Sequence, residues 1–439
     1  MGTFSRRDLL KGGLAGSMAI AAGALGGSAT ASAADELRAR RLAGWAGALR
    51  KPGSLPFPNL PAGTNTIPKI EHIIVLMMEN HSYDNYLGML GRGAGQTPRG
   101  DGFTIGSNGL PTNSNPTTTG TQVAYHLPTT SQSSIHPTQD WVTSHGQYDK
   151  GKNDGFAESK SGTAAMGYWQ QADLPFYYSL ASTFPICDRW FSSILGPTFP
   201  NRRYLLGGTS LGLIDDAIPT SATHPPNGTL FDLLDAHKIT WRDYYSDLPS
   251  AALWMGPAGF LNKSVVGIKN FFTDAAAGKL PSFALIDPNF TKNSEGETQD
   301  IVNGEKFSAS IIDALFKSPN WKNSLLVWTY DEHGGYYDHV PPPTAIAPDS
   351  VPPNAPSNEQ YDGFHRYGFR VPAAVVSPYS VPKKLTSKVH DHTSVLAMIE
   401  RKWNLPALTY RDANAADLMD FIDLNHAAFA KPPKLVPPQ

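Results

Sequence analysis

The apolar run at residues 70–78, IEHIIVLMM, constrains this chain more than any other feature. It has strand length and is almost unbroken, the pattern of a β-strand buried on both faces. Such a strand needs helices over both sides of its sheet, which calls for an α/β architecture. Further strand-like runs at residues 239–245, 282–286, 324–330 and 371–376 alternate with helix-like stretches at 174–183, 229–237, 308–316 and 395–403. The alternation predicts a three-layer α/β sandwich around a mostly parallel central sheet.

Residues 91–130 are rich in Gly, Ser, Thr, Asn and Pro and predict a long surface excursion with little regular structure. Residues 34–68 read as a short polar helix and a Pro/Gly-rich lead-in, residues 69–428 as one catalytic domain, and residues 429–439, ending KPPKLVPPQ, as an extended Pro-rich tail. No repeat and no internal domain boundary is visible. The first 33 residues have the form of an export leader. A twin arginine, Arg6-Arg7, precedes a weakly apolar Ala/Gly/Leu stretch, and Ala31-Ser32-Ala33 supplies small residues at the cleavage position. The stretch is too short and glycine-rich for a comfortable membrane span. The expected location is secreted, periplasmic or cell-envelope, reached by the twin-arginine route, with at most peripheral membrane contact. Net charge is −2, which excludes the basic footprint of a nucleic-acid binder. The single cysteine, Cys187, excludes an internal disulfide.

In α/β sheets, ligands bind beyond the carboxyl ends of the strands. The residues after the first strand are Glu79-Asn80-His81-Ser82-Tyr83-Asp84, and those after the strand at 324–330 are Asp331-Glu332-His333-Gly334-Gly335. Carboxylates gathered at one edge repel unless a cation or proton intervenes. Glu79, Asn80, Asp331 and Glu332 offer an oxygen-rich set suited to a hard divalent ion; read alone, either cluster is equally an acidic rim of turns and caps. A third piece is Gly196-Pro197-Thr198-Phe199-Pro200-Asn201-Arg202, where a helix is predicted to begin near Asn201. Thr198 there is a helix cap or, with backbone N–H groups and a helix dipole behind it, a nucleophile beside a phosphate seat. His136 and His392 are loop histidines able to bind phosphate oxygens or protonate a leaving group.

Together these segments resemble the phosphoesterase family of bacterial phospholipases C and acid phosphatases, a branch of the alkaline phosphatase superfamily. The resemblance runs over residues 70–405 in ordered blocks: IEHIIVLMMENHSYDNYLG, GKNDGF, LPFYYSLASTFPICDRWFSSILGPTFPNRRYL, SLLVWTYDEHGGYYDHVPPP and HDHTSVLAMIERKWN. It implies an alkaline phosphatase-like fold and a divalent metal held by Glu79, Asn80, Asp331 and Glu332, with Thr198 as nucleophile and further ligand. Ca²⁺, Mg²⁺ or Mn²⁺ is favoured and Zn²⁺ less so. His136 and His392 would contact the phosphoryl group, one of them as general acid, and Asn201 would reach a phosphate oxygen. The implied reaction is attack by Thr198, a phosphothreonine intermediate and its hydrolysis. The substrate is a phosphate ester, with a phospholipid or other diester preferred and a phosphomonoester, as in an acid phosphatase, the alternative.

The chain departs from the family at one place. Where the family commonly carries a His-Pro pair, ahead of Asp300-Ile301, it reads Ser294-Glu295-Gly296-Glu297-Thr298-Gln299. A carboxylate of Glu295 or Glu297 facing the site would penalise a dianionic monoester relative to a diester. Tyr168, Trp169, Phe176, Tyr177 and Trp190 are either an apolar approach for substrate or ordinary core. Other classes have narrower footholds. Gly208-Thr209-Ser210-Leu211-Gly212 matches the nucleophile elbow of a serine esterase acting through Ser210, with Asp331 and His392 in the required chain order. That motif needs a strand before and a helix after. A sulfatase would need a C-x-P-x-R sequence, and Cys187 lies in Ile186-Cys187-Asp188-Arg189. The missing histidine also leaves open a non-catalytic phosphate- or lipid-binding module.

Overall fold

The computed structural model describes residues 48–135 and 137–439. The leader at 1–33, the predicted helix beginning at Ala34 and His136 therefore lie outside the described residues.

The central sheet has eight strands. In chain order they are β1 (His72–Met78), β2 (Ile186–Cys187), β3 (Trp241–Tyr245), β4 (Val265–Gly267), β5 (Phe283–Asp287), β6 (Ser324–Tyr330), β7 (Ala373–Val376) and β8 (Leu385–Thr386). Across the sheet they run β8-β2-β7-β6-β1-β5-β3-β4. Only β7 is antiparallel to its neighbours, β6 and β2; the remaining pairings are parallel. Every residue of β1 and β6 is buried, so both faces of the sheet are covered.

The main helices are α1 (Tyr83–Leu87), α2 (Trp141–Tyr148), α3 (Pro175–Thr183), α4 (Thr198–Gly207), α5 (Leu230–Ala236), α6 (Lys269–Ala276), α7 (Ile301–Lys317) and α8 (Thr393–Trp403). They pack in two groups, α7 with α3 and α6, and α4 with α5 and α8, which supply the outer layers of the sandwich. The core runs from Ile73 and Val75 on β1 through Leu326 and Trp328 on β6 to Ile311 and Leu315 on α7 and Leu396 and Ile399 on α8, all fully buried or nearly so. Burying such a side chain contributes about 1.5–3 kcal/mol, which fixes both strands as the centre of the fold.

Several boundaries differ from the sequence reading. The helix expected at 308–316 begins at Ile301, because Asp300 caps it by accepting the Val302 N–H at 3.1 Å. The helix expected near Asn201 begins at Thr198, straight after Pro197. The excursion at 91–130 carries a small hairpin, Ser114–Thr117 against Gly120–Val123. In the tail, Phe429 packs on Phe184 with ring centroids 4.6 Å apart and Val436 donates its N–H to Ser179. Tyr168, Trp169, Phe176, Tyr177 and Trp190 are all core residues and line no open approach.

Candidate active site

The register of β1 on β6 assembles the site. Met78 is paired with Tyr330, so the acidic residues that follow each strand emerge side by side. The Asp331 N–H bonds the Met78 carbonyl at 3.2 Å, and the Asn80 N–H returns to the Asp331 carboxylate at 3.2 Å. The two loops approach so closely that a Cβ on Gly334 would sit 1.9 Å from the Asn80 carbonyl oxygen, with Gly334 at φ +64° and Asn80 itself left-handed at φ +69°. Only glycine fits there, which accounts for the Gly-Gly pair after His333.

Thr198 opens α4 against this edge. Its hydroxyl oxygen lies 3.4 Å from Glu79 Oε1 and 3.4 Å from Glu332 Oε1. The second oxygen of Glu79 accepts from Ser294 Oγ at 2.7 Å, and that of Glu332 from the Gly334 N–H at 2.6 Å. Gln139 brings its amide nitrogen within 3.5 Å of Asn80 Oδ1. The carboxylates and the Asn80 amide oxygen are acceptors with only the Thr198 and Ser294 hydroxyls and a few N–H groups to serve them, and the side chains are buried. Burial and the neighbouring carboxylates raise the Asp331 carboxyl to about 7 against the pull of Arg202. Burial, then Asp331, Glu79 and Asp216, push Glu332 well above the usual carboxylate range against the Gly334 N–H. A single hydroxyl proton cannot serve two carboxylates, so the arrangement needs a proton or cation between them. Glu79, Asn80, Thr198, Asp331 and Glu332 offer only oxygen donors, the chemistry that a hard divalent ion takes.

Among the described residues Arg202 supplies the one guanidinium bonded into this cluster, and sequence reasoning passed over it. Its Nε holds Asp331 Oδ2 at 2.9 Å, its Nη1 holds Asp287 Oδ1 at 3.1 Å, and its Nη2 reaches the carbonyls of Met77 and Met78 at 3.2 and 3.1 Å. The helical signal was present, since Thr198 and Arg202 stand at i and i+4 and share a face of α4. Ser294, Gln139 and Asp216 were also missed; none has a spacing relation to the clusters, and tertiary structure alone brings them in.

The other expected residues fall as follows. His392 stands directly before α8, buried, with Nε2 2.7 Å from the Asp331 carbonyl; burial lowers its pKa to about 4. Asn201 spends both ends of its amide on the loop before α4: Oδ1 accepts from the Ile194 N–H at 3.1 Å, and Nδ2 donates to the carbonyls of Gly196 and Pro197 at 2.9 and 3.0 Å. In this arrangement it shapes the Thr198 turn. Glu295 does not face the site. Its carboxyl sits in a tyrosine cage, accepting from Tyr86 at 2.7 Å, Tyr177 at 2.5 Å and Tyr330 at 2.6 Å, and burial raises it to about 8 despite these donors. Glu297 is exposed. The charge penalty expected from these two residues therefore lacks its geometry.

The esterase elbow is overturned. The residues before Ser210 are helix α4 rather than a strand, no helix follows, and the Ser210 hydroxyl is buried without a hydrogen-bond partner among the described residues. Cys187 is a buried core residue of β2 whose thiol burial pushes strongly upward.

Among the described residues, the one group of three acidic or histidine side chains whose ligand atoms all lie within 4.8 Å of one another is a different one, Asp84, Asp338 and His339. It already holds its own cations. Arg370 donates to Asp84 Oδ1 at 3.0 Å and to Asp338 Oδ1 at 2.8 Å, and His339 Nδ1 lies 2.6 Å from Asp84 Oδ2. We read it as a buried ion-pair hub that anchors α1 to the loop after β6.

The Phosphoesterase family profile matches residues 70–406. Non-specific phospholipase C6 of Arabidopsis thaliana is 32% identical over 380 residues, 80% of this chain and 72% of that protein. Phospholipase C A of Mycobacterium tuberculosis is 29% identical over 428 residues, 84% of this chain and 79% of that one. A solved structure described as a protein in the alkaline phosphatase superfamily from Vibrio parahaemolyticus aligns with 57% of this chain and 65% of its own, at 12% identity and a TM-score of 0.35.

Proposed function

The chain belongs to the phosphoesterase family and is a phosphoric ester hydrolase, and we propose that it is an exported, metal-dependent enzyme that cleaves phospholipase C-type diesters through a phosphothreonine on Thr198. The observation that carries the mechanism is the Thr198 hydroxyl set between Glu79 and Glu332 at the start of α4. A threonine hydroxyl is a weak nucleophile in water. A divalent ion held by Glu79, Asn80, Thr198, Asp331 and Glu332 would favour the alkoxide and offset the charge of a phosphoryl group.

The chain's own residues do the rest. The Thr198 hydroxyl gives up its proton and Oγ1 attacks phosphorus in line with the ester oxygen; one alcohol departs with a proton, and Thr198 is left carrying the phosphoryl group, which keeps the second ester substituent when the substrate is a diester. Water then cleaves the Thr198–phosphate bond and restores the hydroxyl. Arg202 fixes Asp331, and the helix behind Thr198 turns its positive end toward the incoming anion. His392 and His136 take the phosphoryl-contact roles, one of them protonating the leaving alcohol. The diester preference is supported by relatives named as phospholipases C. Phosphomonoester hydrolysis on the same scaffold is the second reading, and the turning away of Glu295 favours it by removing one source of repulsion. Export is supported by Arg6-Arg7 and the leader composition. No helix among the described residues is long and apolar enough to cross a membrane.

The deciding experiment assays mature protein on a diester and a monoester with the same leaving group, with and without chelator. Faster diester cleavage that chelation abolishes is expected. A monoester favoured tenfold or more makes the protein a phosphatase, and full activity in metal-free protein rules out the metal-dependent route.

A further inference from the structure

We propose that Asp216 sets the discrimination between singly and doubly charged phosphate esters at Thr198, disfavouring the dianion. The inference deepens the diesterase reading and rests on it. Asp216 Oδ1 accepts the backbone N–H of Phe199 at 2.7 Å. That N–H belongs to the residue next to the nucleophile, in the first turn of α4. A free N–H in the first turn of a helix is a natural donor to a phosphate oxygen. Here a carboxylate already sits on it, so a phosphoryl group brought to Thr198 meets a negative neighbour where it would otherwise meet a donor.

Asp216 reaches the centre from a different direction than the ligand carboxylates. Glu79, Asp331 and Glu332 come from the ends of β1 and β6, whereas Asp216 comes from the loop after α4. Arg202, the guanidinium bonded to Asp331, is also committed to Asp287. A phosphodiester brings one negative charge and a monoester nearly two at neutral pH, so an added carboxylate beside the seat acts mainly on the second charge.

A plain capping role is separable from this one. Asp216→Asn keeps an oxygen for the Phe199 N–H and removes only the charge. With the metal-loaded enzyme, kcat/KM is measured for methyl 4-nitrophenyl phosphate and 4-nitrophenyl phosphate, along with inhibition by inorganic phosphate. The monoester-to-diester ratio should rise tenfold or more in Asp216→Asn, phosphate should inhibit more tightly, and the melting temperature should hold. An unchanged ratio overturns the proposal, whether or not overall activity falls, and then Asp216 is a cap alone. Asp216→Ser, which also retains an oxygen, provides the same comparison if the amide variant does not fold. Should the wild type prefer the monoester, the diesterase reading fails, while the shift in ratio between wild type and variant still decides the role of Asp216.

Discussion

His392 Nε2 lies 2.7 Å from the backbone carbonyl oxygen of Asp331. A carbonyl only accepts, so this nitrogen carries the hydrogen and Nδ1 presents a lone pair, which has no partner among the described residues. One contact thus fixes both the tautomer of the histidine and the loop that carries two proposed metal ligands.

The first prediction follows from that tautomer. With Nδ1 bare and its pKa lowered to about 4 by burial, His392 must gain a proton on Nδ1 before it can protonate a leaving alcohol. General acids contribute about 10²–10⁴-fold, mostly where the leaving group is basic. His392→Asn should therefore lose about 10²-fold or more on an alkyl ester and much less on a nitrophenyl ester. Equal losses on both would assign His392 to positioning Asp331 instead.

Thr198→Ala should lose on the order of 10³-fold or more in kcat, as removal of a covalent nucleophile does, while Thr198→Ser keeps part of the activity. Ser210→Ala should be nearly neutral, since its hydroxyl is buried behind α4. Acid quench of the wild type during turnover should trap phosphate on the chain, and the Thr198→Ala protein should trap none. An inactive Ser210→Ala beside an active Thr198→Ala would reverse the assignment.

Metal removal should be visible in stability as well as turnover. Glu79, Asp331 and Glu332 are fully buried and the last two are pushed upward in pKa, so a bound divalent ion relieves their repulsion. Ligand binding to the native state alone stabilises by about 2.7 kcal/mol at a hundredfold excess over Kd. Calorimetry should show a melting temperature that falls on chelation and returns with Ca²⁺, Mg²⁺ or Mn²⁺. In Asp331→Ala that response should be lost; a melting temperature indifferent to chelator in the wild type would refute the site.

The hub around His339 gives a pH signature. Burial opposes protonation of His339, but Asp84 at 2.6 Å outweighs it and raises the pKa from 6.5 to about 9. A raised folded-state pKa means stabilisation that is complete below about pH 6.5 and lost as pH rises through about 9. Asp84, whose pKa is lowered from 3.8 against its own burial by His339 and Arg370, contributes above that value and loses its share in acid. The melting-temperature gap between wild type and His339→Gln should be widest near pH 4–6.5 and close toward alkaline pH. A gap that does not change with pH would exclude the charged pair.

Replacing Arg6-Arg7 with two lysines should hold the precursor in the cytoplasm, because the exporter reads that pair. Fractionation of cells expressing the variant tests this, and undiminished secretion would remove the export proposal.

Sequence alone determined the layered α/β fold, since the runs that became β1 and β6 are apolar throughout and can be stable only as strands covered on both sides. It also singled out Glu79, Asn80, Asp331, Glu332 and Thr198 as candidates, because they follow buried strands or open a helix, where ligands bind in α/β sheets, although turns and helix caps favour the same residue types. Tertiary structure decided what surrounds them. The register of Met78 on Tyr330 set the two acidic loops side by side, and the fold turned Glu295 into a tyrosine cage while bringing Arg202 and Asp216 to the Thr198 turn. The physical reason is that a strand's burial is written in local periodicity, whereas the direction of a carboxylate depends on the partners it meets across the fold. For Glu295 those partners lie as far away as residue 86, and no spacing in the chain encodes them.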